Sequence, residues 1–234
     1  MGGVKKVWFC AYRDWALQIY DNLEEVFGQE DVTFTLLKSK KEFQESACYF
    51  KEEDIFFFIG WSWILPREFV ERYCSICLHP SPLPRYRGGS PLQHQIINGE
   101  EEGAVTLFVM DEGIDKGNII SSYPISLGGN LKDIFNRIAA WGTVGITQII
   151  KKYIVNHVID SIIQDETQKS YYTRRTPQMS QIRLQDIQEG SAIDLHNKIR
   201  ALQDPYPNAY IECGDGSRLY IKLATLDEGE GGHR

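Results

Sequence analysis

The chain reads as an α/β fold, and three observations carry that reading. Lys6-Val-Trp-Phe-Cys-Ala11 and Asp54-Ile-Phe-Phe-Phe-Ile59 are continuous apolar runs without the alternation of a half-exposed strand, as buried parallel strands require. Between the strands lie segments with apolar residues at helical spacing. The strong strands run into loops rich in polar and aromatic residues, and in an open α/β sheet ligands bind at the carboxyl ends of strands. The expected architecture is a Rossmann-like, mostly parallel sheet with flanking helices and a small C-terminal helix–hairpin appendage.

Each element has its own signal. After the first strand, Tyr12-Arg-Asp-Trp15 stands where a dinucleotide site would carry its glycine fingerprint, which argues against NAD and FAD. Asp14 is expected to cap a helix with Trp15, Ala16, Ile19, Tyr20 and Leu23 on one side. Val32 to Leu37 is a second strand, and Ser39 to Phe50 a polar helical or irregular crossover. Asp54 to Ile59 is apolar throughout and therefore central. Pro66 suits the first turn of a helix running to about Tyr73, and Cys74 to Leu78 is the next strand. Pro91 to Asn98 follows as a helix, capped by Ser90 and stopped at Asn98-Gly99, with His94 as a packing residue. Gly103 to Met110 and Asn118 to Ile125 are strands. Leu131 to about Tyr153 is the longest helix, presenting Leu131, Ile134, Phe135, Ile138, Trp141 and Ile149; Gly142 and Gly145 imply close packing.

Composition turns polar and basic from Asp165 to Met179, which divides the chain into a main domain at 1–179, a small subdomain at 180–225 and a flexible tail at 226–234. Tyr171-Tyr-Thr-Arg-Arg-Thr-Pro177 within this stretch sets two tyrosines beside two arginines, which could stack a base and hold a phosphate, or be a solvated linker. Ser191 opens a short amphipathic helix to Leu202. Tyr210 to Leu223 is a hairpin around Gly214-Asp-Gly216.

The formal net charge of -7 argues against a mainly electrostatic nucleic-acid binder, while leaving room for a small anion at a local arginine pair. Five cysteines, an odd number in a chain of 234 residues, suit free thiols in a reducing, cytoplasmic setting. No signal peptide or membrane span is expected, and cysteines and histidines form no metal-ligand spacing.

The chemistry concentrates at Cys77-Leu-His-Pro-Ser-Pro-Leu-Pro-Arg-Tyr-Arg-Gly-Gly-Ser-Pro-Leu92. Its prolines exclude helix and central strand, so it is a shaped loop, and His79 sits at the end of the strand that delivers it. A second loop, Asp111-Glu-Gly-Ile-Asp115, also ends a strand. A histidine beside a carboxylate moves protons at neutral pH. A stiff surface turn with an incidental histidine is the alternative. Trp61 and Trp63, flanking Ser62, could line a pocket for a flat ring or simply pack.

These segments resemble the formyltransferases that use N10-formyltetrahydrofolate. The family pattern is a strand ending Asn-x-His, then Leu-Pro-x-Tyr-Arg-Gly, and a later Met-Asp-x-Gly-x-Asp-x-Gly; Leu78-His79, 81–88 and 110–117 match it. Arg174-Arg-Thr-Pro177 and Asp204-Pro-Tyr-Pro-Asn-Ala209 look like the members acting on nucleotide-linked amino sugars. The resemblance implies formyl transfer to such a sugar amine, a dTDP-4-amino-4,6-dideoxyglucose by preference, in O-antigen biosynthesis by a homodimer that binds no nucleic acid and no metal. Glycinamide ribonucleotide formyltransferase, or a folate or nucleotide-sugar binding protein, is the alternative. The implied catalytic residues are His79, as base, and Asp115, which orients it. The folate would contact Trp61, Ser62, Trp63, Ile64, Leu65, Met110, Asp111 and Gly113. The nucleotide sugar would meet Arg85, Tyr86, Arg87, Gly88, Tyr171, Tyr172 and Arg174. Cys77 departs from the pattern, standing where the family has the asparagine that holds the developing oxyanion. A thiol is a weaker and shorter donor than an amide.

Overall fold

The computed structural model describes residues 5–28, 32–156 and 158–227. Its central sheet has six strands: β1 (Lys5–Cys10), β2 (Val32–Leu37), β3 (Ile55–Ile59), β4 (Cys74–His79), β6 (Glu102–Val109) and β7 (Ile119–Ser126), the label β5 going to the short Arg87–Gly88 strand. They are ordered β2-β1-β3-β4-β6-β7. The first four run parallel, and β6 and β7 are antiparallel to their neighbours. All five residues of β3 are buried, because it lies inside the sheet with both faces covered.

Side chains of β3 alternate between two cores. Phe57 joins the larger one with α1 (Asp14–Phe27) and the long α5 (Leu131–Asn156). Phe56 and Phe58 join an aromatic core with Trp8 and Cys10, covered by α2 (Lys40–Ser46), α3 (Arg67–Arg72) and the loop through Trp61 and Leu65. Trp8 satisfies its indole nitrogen by donating to the buried Asp54 carboxylate at 2.7 Å. The glycines of α5 have the expected cause. A Cβ on Gly142 would stand 2.7 Å from Ile19 and 2.8 Å from Leu78, and one on Gly145 would stand 2.4 Å from Leu107.

Four local expectations are corrected. Asp14 is the first residue of α1 rather than its cap; Arg13 holds the cap position without a side-chain bond, and the Asp14 charge complements the helix dipole instead. Ser90 precedes α4 (Pro91–Ile97) in a left-handed conformation, φ 54°, and its hydroxyl accepts from the Arg175 amide rather than from the helix. Trp141 is 41% exposed and stacks on Tyr123 at the flank of α5, 5.0 Å between centroids. The stretch 165–179 is no solvated linker: β8 (Tyr171–Tyr172) pairs in parallel with β5.

Beyond it come α6 (Leu184–Glu189), α7 (Ala192–Ala201) and the hairpin β9 (Ala209–Glu212) and β10 (Arg218–Ile221). Ser191 caps α7 as expected, accepting from the Asp194 amide. This end has its own small core of Ile182, Ile199, Leu202 and Ala209, and α7 packs on α4. Among the described residues no helix is long and apolar enough to cross a membrane. The expected tail falls, from 228 onward, outside the described residues.

Candidate active site

Cys77 and His79 are two apart on β4, so they share the face that also carries Phe58 of β3, the register partner of Cys77. His79 is buried, with 6% exposure, at the strand's carboxyl end. Its Nε2 lies 2.8 Å from the Tyr86 carbonyl oxygen. A carbonyl only accepts, so Nε2 carries the proton and a neutral ring keeps its lone pair on Nδ1. That Nδ1 is 3.6 Å from Asp115 Oδ2. The loops after β4 and β6 therefore meet, which their sequences alone could not establish.

Three non-glycine residues around this pair adopt left-handed backbone: Tyr86 at φ 62°, Ser90 at 54° and Asp115 at 53°. Such residues are strained unless their surroundings hold them. Here the holding is visible, since the Asp115 carboxylate accepts from the Gly88 amide at 2.7 Å and the Tyr86 amide donates to Ser170 Oγ at 2.9 Å. The imidazole is thus fixed at Nε2 by a carbonyl, and Nδ1 faces the carboxylate as the atom able to take up a proton. Both the neutral Nδ1 and the carboxylate are acceptors, so at 3.6 Å no hydrogen bond links them until Nδ1 carries a proton.

Burial pushes the Cys77 thiol well above its ordinary range, and the Asp115 charge adds to that. Cys77 is therefore a neutral thiol whose weak donor reaches only the Leu78 carbonyl at 3.6 Å. It is not a thiolate nucleophile.

The pair opens into a cleft of about 360 Å³. Of the residues expected there, Trp61, Ser62, Cys77, His79, Gly88, Asp115 and Arg174 line it. The others lie elsewhere. Trp63 packs edge-on against Trp61 at 4.5 Å, Ile64 is exposed, and Leu65 and Met110 pack under the aromatic core. Asp111 closes its own turn by accepting from the Gly113 amide at 2.9 Å. Arg85 is ion-paired with Glu100, which Tyr86 also bonds at 2.8 Å. Arg87 has a fully buried side chain, donating to Gln164 and Glu166 at 2.7 Å each and to the Tyr171 hydroxyl at 2.8 Å. Tyr172 stacks on Tyr86, 4.8 Å between centroids.

Sequence reasoning missed Arg13 and Trp15, which also line the cleft, whereas Arg175 and Tyr206 line it from the segments at 171–177 and 204–209 that it singles out. The available signal was that Tyr12-Arg-Asp-Trp15 leaves a parallel strand at its carboxyl end. Among the described residues, Arg13, Arg174 and Arg175 have no carboxylate partner. Arg174 donates to Ser62 Oγ at 3.2 Å, and Arg175 to the Met179 carbonyl at 2.6 Å. Burial lowers the pKa of Arg175. The buried nitrogens Trp15 Nε1, Trp61 Nε1 and Arg175 Nε find no acceptor. Each such donor costs roughly 1–3 kcal/mol. Among the described residues no group of His, Cys, Asp and Glu could hold a metal ion.

Residues 24–150 match the formyl transferase family. Methionyl-tRNA formyltransferase from Syntrophomonas wolfei is 30% identical over 178 residues, which is 74% of this chain and 55% of that protein. The solved methionyl-tRNA formyltransferase from Clostridium thermocellum superposes with a TM-score of 0.81 at 24% identity, covering 97% of this chain and 95% of that one. A sugar N-formyltransferase from Shewanella sp. FDAARGOS_354 gives 0.75 at 20% identity, covering 96% and 100%. At those identities the two structures speak for the fold alone. The chain spans little more than half the length of the curated relatives it matches.

These findings correct the expected acceptor. Curated relatives from eight bacteria, at 30–33% identity, are methionyl-tRNA formyltransferases. The assignment to amino-sugar formyltransferases, the dTDP-sugar substrate, the role in O-antigen biosynthesis and the exclusion of nucleic acid are all overturned. Net charge averages away a local cluster of arginines, so it could not exclude an anionic acceptor.

Proposed function

Since the chain belongs to the formyl transferase family, we propose that it transfers a formyl group from N10-formyltetrahydrofolate to the amine of methionyl-tRNA. One observation carries this reading: a His79–Asp115 pair shares its cleft with three arginines that, among the described residues, no carboxylate neutralises. A proton acceptor suits an attacking amine, and free guanidinium groups suit a phosphodiester acceptor. The names of the curated relatives favour the same acceptor.

The residues present fit a reduced-folate donor. Trp61 gives the cleft a flat aromatic wall, and its indole nitrogen lacks an acceptor. The donor supplies an activated formyl carbon. His79 Nδ1 takes the proton that the amine sheds as its nitrogen bonds to that carbon, and Asp115 supports the resulting imidazolium. Tyr86, through its carbonyl, keeps the ring in the tautomer that leaves Nδ1 free. Arg13, Arg174 and Arg175 hold the acceptor's terminal phosphate, so a chain of net charge -7 needs only a local positive surface.

The test is an assay of N10-formyltetrahydrofolate with methionyl-tRNA, read as formyl-methionine by mass spectrometry after deacylation. Formylation that falls steeply with added salt supports the reading. Absence of product with charged tRNA, under conditions where the folate binds, overturns it.

A further inference from the structure

We infer that Gln164 is a positioning residue for formyl transfer: its side-chain amide holds the backbone of the Asp115 loop and so fixes that carboxylate against His79. This rests on the formyl-transfer reading and names the part of the scaffold on which the proton acceptor depends.

Packing does little to place Asp115. Asp111, Glu112, Ile114 and Lys116 of its loop are exposed. The ion pair of Glu112 with Arg67, at 3.0 Å, lies on the surface, where such pairs contribute little. The backbone at Asp115 is left-handed, φ 53°, a conformation that a residue with a side chain keeps only where its surroundings hold it. Hydrogen bonds hold it at both ends. The Gly88 amide donates to Asp115 Oδ2 at 2.7 Å. Gln164 Nε2 donates to the Asp115 carbonyl at 2.9 Å and to the Gly117 carbonyl at 2.7 Å.

Position and chemistry both suit Gln164 to this task. Two residues earlier, Ile162 exchanges both backbone hydrogen bonds with Ile119 at the start of β7, each 2.8 Å long, so the segment carrying Gln164 is anchored to the central sheet. Its Oε1 accepts from Arg87 Nε at 3.1 Å and from Nη2 at 2.7 Å. Both ends of the amide are used, and the guanidinium on one side and two carbonyls on the other fix which end is which. Arg87 and Gly88 are consecutive in β5, so the residue that braces Gln164 adjoins the one that binds the Asp115 carboxylate. Backbone and side chain of Asp115 are therefore tied to one short strand. Gln164 is only 4% exposed and does not line the cleft, so its influence on the reaction runs through Asp115. That carboxylate, 3.6 Å from His79 Nδ1, is the partner of this nitrogen once it carries the amine's proton.

Gln164→Met keeps the length and removes both ends of the amide. Gln164→Glu keeps the contact with Arg87 and removes the donors to the loop, and it alone decides if the first variant does not fold. Each is expected to lower kcat for formylation about 10- to 100-fold, with KM for folate and acceptor within about threefold, the size of a misplacement of about 1 Å. In an Asp115→Ala background the same substitutions are expected to cost less than about threefold more, because residues that act as one unit are not additive. Equal fold losses in both backgrounds make Gln164 a general brace, and full activity of Gln164→Glu makes its donors idle; either result overturns the inference. A second measurement needs no turnover. The Gly88 amide, followed in nitrogen-15-labelled protein, is expected to move upfield and exchange faster with solvent in both Gln164 variants, toward its behaviour in Asp115→Ala. An unmoved Gly88 amide overturns the inference. Absence of product from the parent chain is a different result: it removes the formyl-transfer reading, and the catalytic role of Gln164 with it, whatever the Gly88 amide does.

Discussion

The lining of the cleft and the wall of side chains behind it, which reaches the lining only at Gly88, are built from similar residues and treat their polar groups in opposite ways. The wall formed by 85–88 and 164–172 is saturated: Arg87, though wholly buried, meets Gln164, Glu166 and Tyr171, and Gln164 turns its amide onto the Asp115 and Gly117 carbonyls at 2.9 and 2.7 Å. The wall formed by Arg13, Trp15, Trp61, Arg174 and Arg175 keeps, among the described residues, guanidinium groups without carboxylates and three buried nitrogens without an acceptor. Saturation marks a scaffold that must not move, since a buried charge released from its partners is costly. Unpaired donors mark the side that waits for a ligand. His79 sits at the seam, with Nε2 satisfied by the scaffold and Nδ1 turned to Asp115.

The comparison breaks most visibly at the seam itself. His79→Ala is expected to lower kcat for formyl transfer by about 10²–10⁴-fold, the range of a lost general base, with a melting temperature within a few degrees of the parent. A large fall in melting temperature with little loss of rate would assign His79 to the scaffold. On the saturated wall the signature reverses. Arg87→Met is expected to cost roughly 3 kcal/mol of stability by urea unfolding, because it leaves Gln164, Glu166 and Tyr171 without their donor. At a temperature where the variant stays folded, its KM for the acceptor should hold.

On the open wall, Arg174→Ala is expected to raise KM for the acceptor about tenfold, leave kcat within a factor of two or three, and reduce the salt dependence of KM. Stability should barely change, since among the described residues the guanidinium's hydrogen bond goes to the Ser62 hydroxyl, at 3.2 Å. A fall in stability without a KM effect would move Arg174 to the scaffold class.

The fold was legible for a simple reason: residues such as 55–59 and 131–153 carry their periodicity over a whole element, so local pattern and final environment agree. β5 and β8 were not, because two-residue strands have no period and exist only through each other. Ser90 misled because its left-handed backbone, imposed by the loop, turns its hydroxyl from the helix it precedes. At the site, His79 ends its strand inside a motif, whereas the loop Tyr12-Arg-Asp-Trp15 after β1 shows only the lack of a glycine fingerprint. That loop reaches the cleft because β1 lies beside β3, and strand order is a property of the sheet that no short motif encodes.

The smallest expected effect concerns the outer edge of the scaffold. Hydrogen bonds from Arg87 and then Lys169 pull the Glu166 carboxyl down from about 4.5 to about 2. A carboxyl depressed in the folded state contributes stability that is fully present above its unfolded value and is lost as pH falls through the folded one. The window is therefore pH 4.5 down to pH 2, and nothing changes near neutrality. Glu166 is half exposed, so solvent and salt screen the pair and the effect is small. Thermal unfolding from pH 6 to pH 2.5 should show a shallower acid decline for Glu166→Gln than for the parent, with the difference shrinking in 1 M salt. Parallel acid limbs would mean that Arg87 is held by Gln164 and Tyr171 alone, and that the saturated wall ends one residue further in.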